Sequence, residues 1–352
     1  MTSWHEHWVR WRNARLSDPG FQRWAAKFPL TRPVARRSAR ALFDVIAGFT
    51  YSQVAYAIVE VGLLPFVAEL KRSLAEIAAH TRLPVEGAER LVKAAIALEF
   101  VEAVGGGYLL GSAGAAMLGN AGVTEMIAHH RYLYADLADP VGLLRGGRGS
   151  LAAYWPYADA GDDRTVAYSA LMAASQPMLS AQILDAYPLG RHRRLLDIGG
   201  GAGVFLGAAA TRFPALETVL FDLPPVAARY AGPGIAVGGS FIDDPVPAGA
   251  DVVSLVRVLH DHDDDVVVAL LAKVHAALPP GGTIVVAEPM AETRGAAPIG
   301  DAYFGMYLLA MGSGRPRSAA LLRMMLYSAG FVDVHEHPTA IPMLVRVLSA
   351  TR

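Results

Sequence analysis

Beyond Arg193, short apolar runs alternate with stretches of helical period. The runs at 194–198, 217–221, 235–238, 251–256 and 282–288 have the length of buried strands, and 204–213 and 266–278 between them repeat as helices do. Strands separated by helices predict a parallel sheet covered on both faces. Two last runs, 331–337 and 342–349, lie close enough to form an antiparallel pair. The pattern therefore predicts an α/β fold with a mostly parallel, seven-stranded sheet.

Upstream the period changes. Trp4, Trp8 and Trp11, at i, i+4 and i+7, share one face of a helix. Residues 41–70 read as one or two packing helices ending near Gly62. Ser73 and Glu76 spell a capping box, a turn at Leu83-Pro84 leads to a second helix over 85–98, and 100–104, 105–107 and 108–110 read as strand, glycine turn and strand. Helices followed by a hairpin make a winged helix. Residues 120–185 are helical but irregular and rich in Tyr132, Tyr134, Tyr154, Trp155, Tyr157, Tyr168, Met172 and Met178, side chains that suit either core or the wall of an apolar pocket. The expected organisation is a basic arm (1–40), a winged-helix unit for dimer contacts (41–118), a helical connector bearing the substrate pocket (119–190) and the α/β domain (191–352).

The chain has 352 residues, a net charge of −1 and no cysteine, which excludes disulfides, thiolate metal sites and cysteine nucleophiles. No apolar signal core opens the sequence, and 41–70 is interrupted by Asp44, Gln53 and Glu60, so it reads as a packing helix rather than a span. The expected location is the cytoplasm, with peripheral contact at a membrane. Charge is concentrated at one end: residues 1–40 hold nine Lys/Arg against Glu6 and Asp18, a net of +7, together with four of the five tryptophans. Such an arm packs on a partner subunit, lies at a membrane surface or forms a nucleic-acid patch. The second helix of the winged unit carries Glu86, Glu89 and Glu99 against Arg90 and Lys93, which argues against DNA.

The chemistry centres on Leu195-Leu-Asp-Ile-Gly-Gly-Gly-Ala-Gly203. A strand breaking into glycines before a helix is the mouth of a nucleotide-binding βαβ unit, where missing side chains let backbone approach a ligand. The dinucleotide fingerprint G-x-G-x-x-G fails, because its last position is Val204 counted from Gly199 and Leu206 counted from Gly201. What fits is acid-x-Gly-x-Gly-x-Gly, from Asp197 through Gly199, Gly201 and Gly203, with no basic residue for a pyrophosphate. Asp222, followed by Leu223, stands 21 residues after Gly201 at the tip of the next strand, where a carboxylate's paired acceptors suit ribose hydroxyls. Ser240 and Phe241 follow the third strand, and Phe241 can stack on an adenine face or fill core.

The fourth strand runs through Arg257 into His260-Asp261-His262. The carboxyl end of a parallel strand faces the ligand crevice, and an imidazole there suits a proton acceptor. Glu288 ends the fifth strand in the same crevice and, with Asp261, can orient His260. The acids at 261 and 263–265 crowd two histidines, but neighbours in sequence rarely converge on one ion, so no metal is expected; Asp263 to Asp265 lead the next helix.

Asp197-Ile-Gly-Gly-Gly-Ala-Gly203, Phe221-Asp-Leu-Pro224, Arg257-Val-Leu-His-Asp261, Leu278-Pro-Pro-Gly-Gly282 and Glu288-Pro289 occur in order. Together they resemble the plant- and bacterial-type small-molecule O-methyltransferases, over roughly residues 41–352. The resemblance implies a class I methyltransferase fold behind a winged-helix dimerisation domain, S-adenosylmethionine as co-substrate without a metal, and a homodimer. By it, Asp197, Gly199, Gly201, Asp222, Leu223, Ser240, Phe241 and Arg257 form the cofactor site. His260 is the base, with Asp261 and Glu288 beside it, and Met172, Met290, Met306 and Met311 wall the substrate site. Phe21-Gln-Arg-Trp24, Phe28-Pro-Leu-Thr-Arg-Pro33, Tyr51-Ser-Gln53 and Met311-Gly-Ser-Gly-Arg-Pro-Arg-Ser318 narrow it. They are similar to the carotenoid O-methyltransferases of purple photosynthetic bacteria, which implies a lipophilic acceptor, the 1-hydroxyl of hydroxyneurosporene or demethylspheroidene. Departures from the family pattern are Ser240 for an aspartate, His262 for a tryptophan and Pro316 for a second acid. Two alternatives stay open: another acceptor, phenolic or a bacteriochlorophyll-type ring carbon, and a cofactor-binding winged-helix regulator.

Overall fold

The computed structural model describes residues 3–154 and 176–352 and separates into two compact units, 1–115 and 116–352. The first is helical: α1 (Trp4–Ser17), α2 (Pro19–Lys27), α3 (Arg32–Glu60), α4 (Leu63–Glu69), α5 (Leu74–Thr81) and α6 (Val85–Ala97), closed by the antiparallel pair β1 (Val101–Val104) and β2 (Gly107–Leu110). Ser73 and Glu76 form the expected reciprocal cap on α5. Ile58, Leu63, Leu64, Val67, Ile77, Ala88 and Val92 are buried here. The proposed break at residue 40 falls inside α3. Proline in the first turn starts this helix at Arg32, and nothing between 34 and 60 interrupts it. Gly62, at φ +64°, ends that run.

In the second unit, α7 (Ser112–Leu118), whose first residues belong to the first unit, leads to α8 (Ala121–Asp136), α9 (Pro140–Leu144), α10 (Ser150–Tyr154) and α11 (176–186). Trp155, Tyr157, Tyr168 and Met172 lie outside the described residues. The sheet follows: β3 (Arg194–Ile198), α12 (Val204–Arg212), β4 (Glu217–Asp222), α13 (Pro224–Ala227), β5 (Ile235–Gly238), β6 (Val252–Val256), α14 (Asp264–Ala277), β7 (Thr283–Glu288), α15 (Phe304–Met311), α16 (Ala319–Ser328), β8 (Val332–His337) and β9 (Arg346–Thr351). The last strand begins at Arg346 rather than 342. Ile341 accepts the amides of Leu344 and Val345 in a turn, and β9 registers against Thr283–Glu288 only from Arg346.

The strand order is β5-β4-β3-β6-β7-β9-β8, parallel except for β9, which runs antiparallel to both its neighbours. Alternation along the strands divides the core. Leu196, Ile198, Val253, Leu255, Ile284 and Val286 pack with Leu270 and Leu271 of α14 and Leu322 of α16. Leu195, Leu220, Val252, Val285 and Val347 pack with Phe205 and Leu206 of α12 and with Leu179, Ile183 and Leu184 of α11. This second layer is why 119–190 and 191–352 are not separate bodies: α11 supplies one face of the sheet's own core. Burial of such aliphatic side chains contributes about 1.5–3 kcal/mol each.

Candidate active site

The order of strands reverses between β3 and β6, and in open parallel sheets ligands bind outside the carboxyl ends at that point. Gly199, Gly201 and Gly203 lie there with φ of +69°, +57° and +73°, backbone that L side chains rarely adopt. A Cβ on Gly203 would come within 2.2 Å of the Tyr230 ring, whereas one on Gly201 would meet open space. The turn is thus closed beneath and open outward. Asp222 accepts the amide of Gly201 (2.8 Å) on one oxygen and that of Leu223 (2.7 Å) on the other. Each oxygen keeps a lone pair for a further donor. Burial lifts the Asp222 pKa above the usual range, against the pull of those two amides.

Asp197 sits beneath the turn rather than on its outer surface. It is fully buried, one oxygen accepts from the Ser254 hydroxyl (2.5 Å), and the other has no hydrogen-bond partner among the described residues. That second oxygen occupies the space a Cβ on Gly200 would need, 2.2 Å away. Burial raises the Asp197 pKa to about 7, opposed by the Ser254 hydrogen bond and reinforced by the charge of Asp222. Ser240 turns inward to its own loop: its amide binds Asp244 (2.8 Å) and its hydroxyl binds Asp243 (3.1 Å). Phe241 is half-buried on the sheet core, its ring edge-on to His262 at 5.1 Å.

Arg257 follows β6 with φ +56°, its amide donated to Ala287. This left-handed turn redirects the chain, and a short 3₁₀ turn over Leu259–Asp261 carries His260 back over the sheet end. His260 is buried, with Nδ1 donating to the Glu288 carboxylate and Nε2 3.1 Å from Asp261. Burial alone would depress its pKa; the charges of Asp261 and Glu288 outweigh that and hold it above 6.5. The other Glu288 oxygen accepts the amides of Val258 (3.0 Å) and Leu259 (2.8 Å), so this one carboxylate fixes both the loop and the ring.

The opposite side of the same loop is held by a residue to which the motif around it assigns no task. Arg317 is 2% exposed and donates to the carbonyls of Leu259 (2.6 Å) and His262 (2.7 Å) and to Asp264. Gly314, at φ +80°, packs so closely that a Cβ would lie 2.2 Å from the His260 carbonyl, and its amide binds Asp263 (3.0 Å). The Gly-Ser-Gly-Arg-Pro-Arg stretch is therefore the brace of the histidine loop. The acids after His260 disperse: Asp263 stands at the N-cap of α14, and Asp264 pairs with Arg315 and Arg317.

A π-helical turn, Pro298–Tyr303, leads into α15 and sets Phe304 edge-on to His260 at 6.2 Å. Tyr303 and Tyr307 meet His130 (2.8 Å) and His129 (3.1 Å) of α8, and burial keeps both histidines neutral, with pKa values pushed down to about 4. No spacing rule marks such a turn. Of the methionines expected at the substrate, Met290 packs in the sheet core and Met311 in the cluster of Leu133, Leu143 and Leu151. Their apolar spacing is satisfied by core packing. Met306 is half-buried on α15, and Met172 lies outside the described residues.

An O-methyltransferase domain model matches residues 134–332. The chain is 44% identical over 337 residues to the demethylspheroidene O-methyltransferase of Rhodobacter capsulatus, covering 93% of this chain and 85% of that one. It is 41% identical to the Cereibacter sphaeroides protein of the same name, covering 94% and 92%. The chain belongs to the O-methyltransferase family. Among solved structures, human N-acetylserotonin methyltransferase in complex with SAM superposes with a TM-score of 0.78 at 24% identity, over 90% of this chain and 97% of that one. This O-methyltransferase therefore has the class I fold, and its glycine turn fits S-adenosylmethionine. The turn is open above Gly201, it offers Asp222 as acceptor, and it has no cation that a pyrophosphate would require.

Proposed function

We propose that this S-adenosylmethionine-dependent O-methyltransferase methylates the 1-hydroxyl of an acyclic carotenoid of the hydroxyneurosporene or demethylspheroidene type, with His260 as general base. The observation that carries the reaction is the buried imidazole at the sheet's ligand-facing end, between Glu288 and Asp261. The names of the two relatives above 40% identity support the acceptor.

S-adenosylmethionine supplies an electrophilic methyl group. The chain's part is to hold that donor on the turn of Gly199 and Gly201, with Asp222 on its ribose, Phe241 against its adenine, and Leu223, Ser240 and Arg257 at its margins. Asp197 acts from below, by shaping the turn. The acceptor hydroxyl gives its proton to Nε2 of His260, which Asp261 faces at 3.1 Å, while Glu288 keeps the ring oriented. Alignment of oxygen, methyl carbon and sulfur contributes most, since orientation alone supplies about 7–11 kcal/mol. A tertiary aliphatic alcohol is far less acidic than a phenol, so proton removal accompanies transfer. Purified protein given methyl-labelled S-adenosylmethionine and a mixed pigment extract is expected to label a lipophilic methoxy-carotenoid. Label confined to phenols or to bacteriochlorophyll-type rings would overturn the acceptor and leave the methyltransferase standing.

The protein acts as a homodimer through α3 in this proposal. Leu42, Phe43, Val45, Ile46 and Phe49 are exposed on that helix, and Asp44 is the lone charge between 41 and 51. Light scattering is expected to give twice the 37.4 kDa chain mass, and Phe43→Glu with Ile46→Glu to halve it.

A further inference from the structure

Residues 3–40 present a surface unlike that of α3 beyond them. α1 buries none of its residues and α2 only Ala25. Trp4 is 81% exposed and Trp11 60%, and Trp8, Trp24, Phe28, Leu30 and Val34 are also exposed. The aromatic groups are ordered. Phe21, Trp24 and Phe28 form a ladder with ring centroids 5.6 and 5.2 Å apart, and the Arg12 guanidinium lies 4.9 Å over the Trp8 ring.

The charge on this surface is one-sided. Arg10, Arg15, Arg23, Lys27, Arg32, Arg36, Arg37 and Arg40 are all exposed. The two acids of the segment are engaged locally: Glu6 pairs with Arg10 (2.5 Å), and Asp18 caps α2 through the amide of Phe21 (2.6 Å). A protein interface core is depleted in charged residues as a whole, so this many cations would need acidic partners there. The face of α3 described above has the opposite character, nearly uncharged and apolar, without tryptophan. Indole rings interleaved with arginine match the headgroup layer of a bilayer, where tryptophan concentrates and each basic side chain adds attraction to anionic lipid.

We propose that residues 3–40 dock the chain on an anionic lipid bilayer, with α1 and α2 in the interface plane and α3 from residue 41 onward left to the second copy. The inference stands apart from the methyl-transfer reading, because its readout is lipid binding. Full-length protein is mixed with vesicles of phosphatidylcholine alone, or of equal parts phosphatidylcholine and phosphatidylglycerol, then sedimented, and tryptophan emission is recorded.

Sedimentation with the anionic vesicles alone, a blue shift of emission, and release in about 1 M salt, where the screening length falls to about 3 Å, are expected. Replacing Arg23, Arg36 and Arg37 by glutamine is expected to weaken binding about 100-fold, and replacing Trp4, Trp8 and Trp11 by alanine to remove the blue shift. Equal partition onto both vesicle types, or sedimentation with neither, would overturn the proposal. So would undiminished vesicle binding by the glutamine variant together with a halved mass in solution, which would make the arm a subunit contact. Methyl transfer to a detergent-dispersed acceptor is expected to survive both sets of changes, so failure of docking is separable from failure of the catalytic reading.

Discussion

His260→Ala is expected to lower turnover by about 10²–10⁴-fold, the contribution of a positioned general base, while S-adenosylmethionine binds unchanged. The size follows from the proposed acceptor: a tertiary alcohol keeps its proton at neutral pH, so nothing in solution would substitute for the imidazole. The separation from binding follows from geometry. The glycine turn and Asp222 belong to β3 and β4, and their contacts do not pass through His260. The pH dependence is a second arm of the same test. With carboxylates at both nitrogens, His260 is held protonated to above its ordinary 6.5, so turnover rises with pH through that raised value. Asp261→Asn removes one of the two charges, lowers the pKa and moves the acid limb to lower pH. Wild-type turnover in His260→Ala, or a limb in Asp261→Asn that stays put or moves upward, would sink the assignment.

Arg317→Met is expected to damage both stability and catalysis. Methionine keeps the stem but removes the donors to the Leu259 and His262 carbonyls; Asp264, half-exposed and still bound to Arg315, is not orphaned. The buried His262 carbonyl is left without a partner, at a cost of about 1–3 kcal/mol, and the Leu259 carbonyl keeps only the His262 amide at 3.3 Å. For a unit of this size that is a fall in Tm of roughly 2–12 °C. Released on that side, the loop carries His260 out of register, and a displacement of about 1 Å costs on the order of 10²-fold in rate. Calorimetry beside steady-state kinetics reads both effects, and the same loss from Arg317→Lys would show that the planar fork, not the charge, is what matters. An unchanged Tm in Arg317→Met would show the brace to be dispensable.

The same loop shows how much of the site was legible before folding. His260 and Glu288 stand out because each ends an apolar run at the carboxyl edge of a parallel sheet, a position whose meaning follows from chain order. Asp222 is marked by its distance from the glycine turn. Arg317 and Gly314 carry no such mark. They lie in an irregular stretch between α15 and α16, and a motif there can be noticed without its task being known. Asp197 opens the glycine motif, a position that points to a cofactor contact, yet its side chain lies under the turn, where Gly200 leaves it room. Met290 and Met311 met the pattern of a pocket wall and became core.

Local chemistry settled the elements: period separates strand from helix, glycine sets the positive-φ turns, and Ser73 with Glu76 caps α5 within four residues. Those interactions are short-ranged, so sequence alone determined them, and with them the chain order of the sheet's parts and the place of the proposed base at a strand end. What the tertiary structure decided is convergence. Glu288 reaches His260 across 28 residues of chain and Arg317 reaches Leu259 across 58, and no spacing rule spans such separations. The electrostatics of the imidazole depend on that convergence. Burial and two carboxylates oppose each other at one ring, and only the packed arrangement fixes their balance.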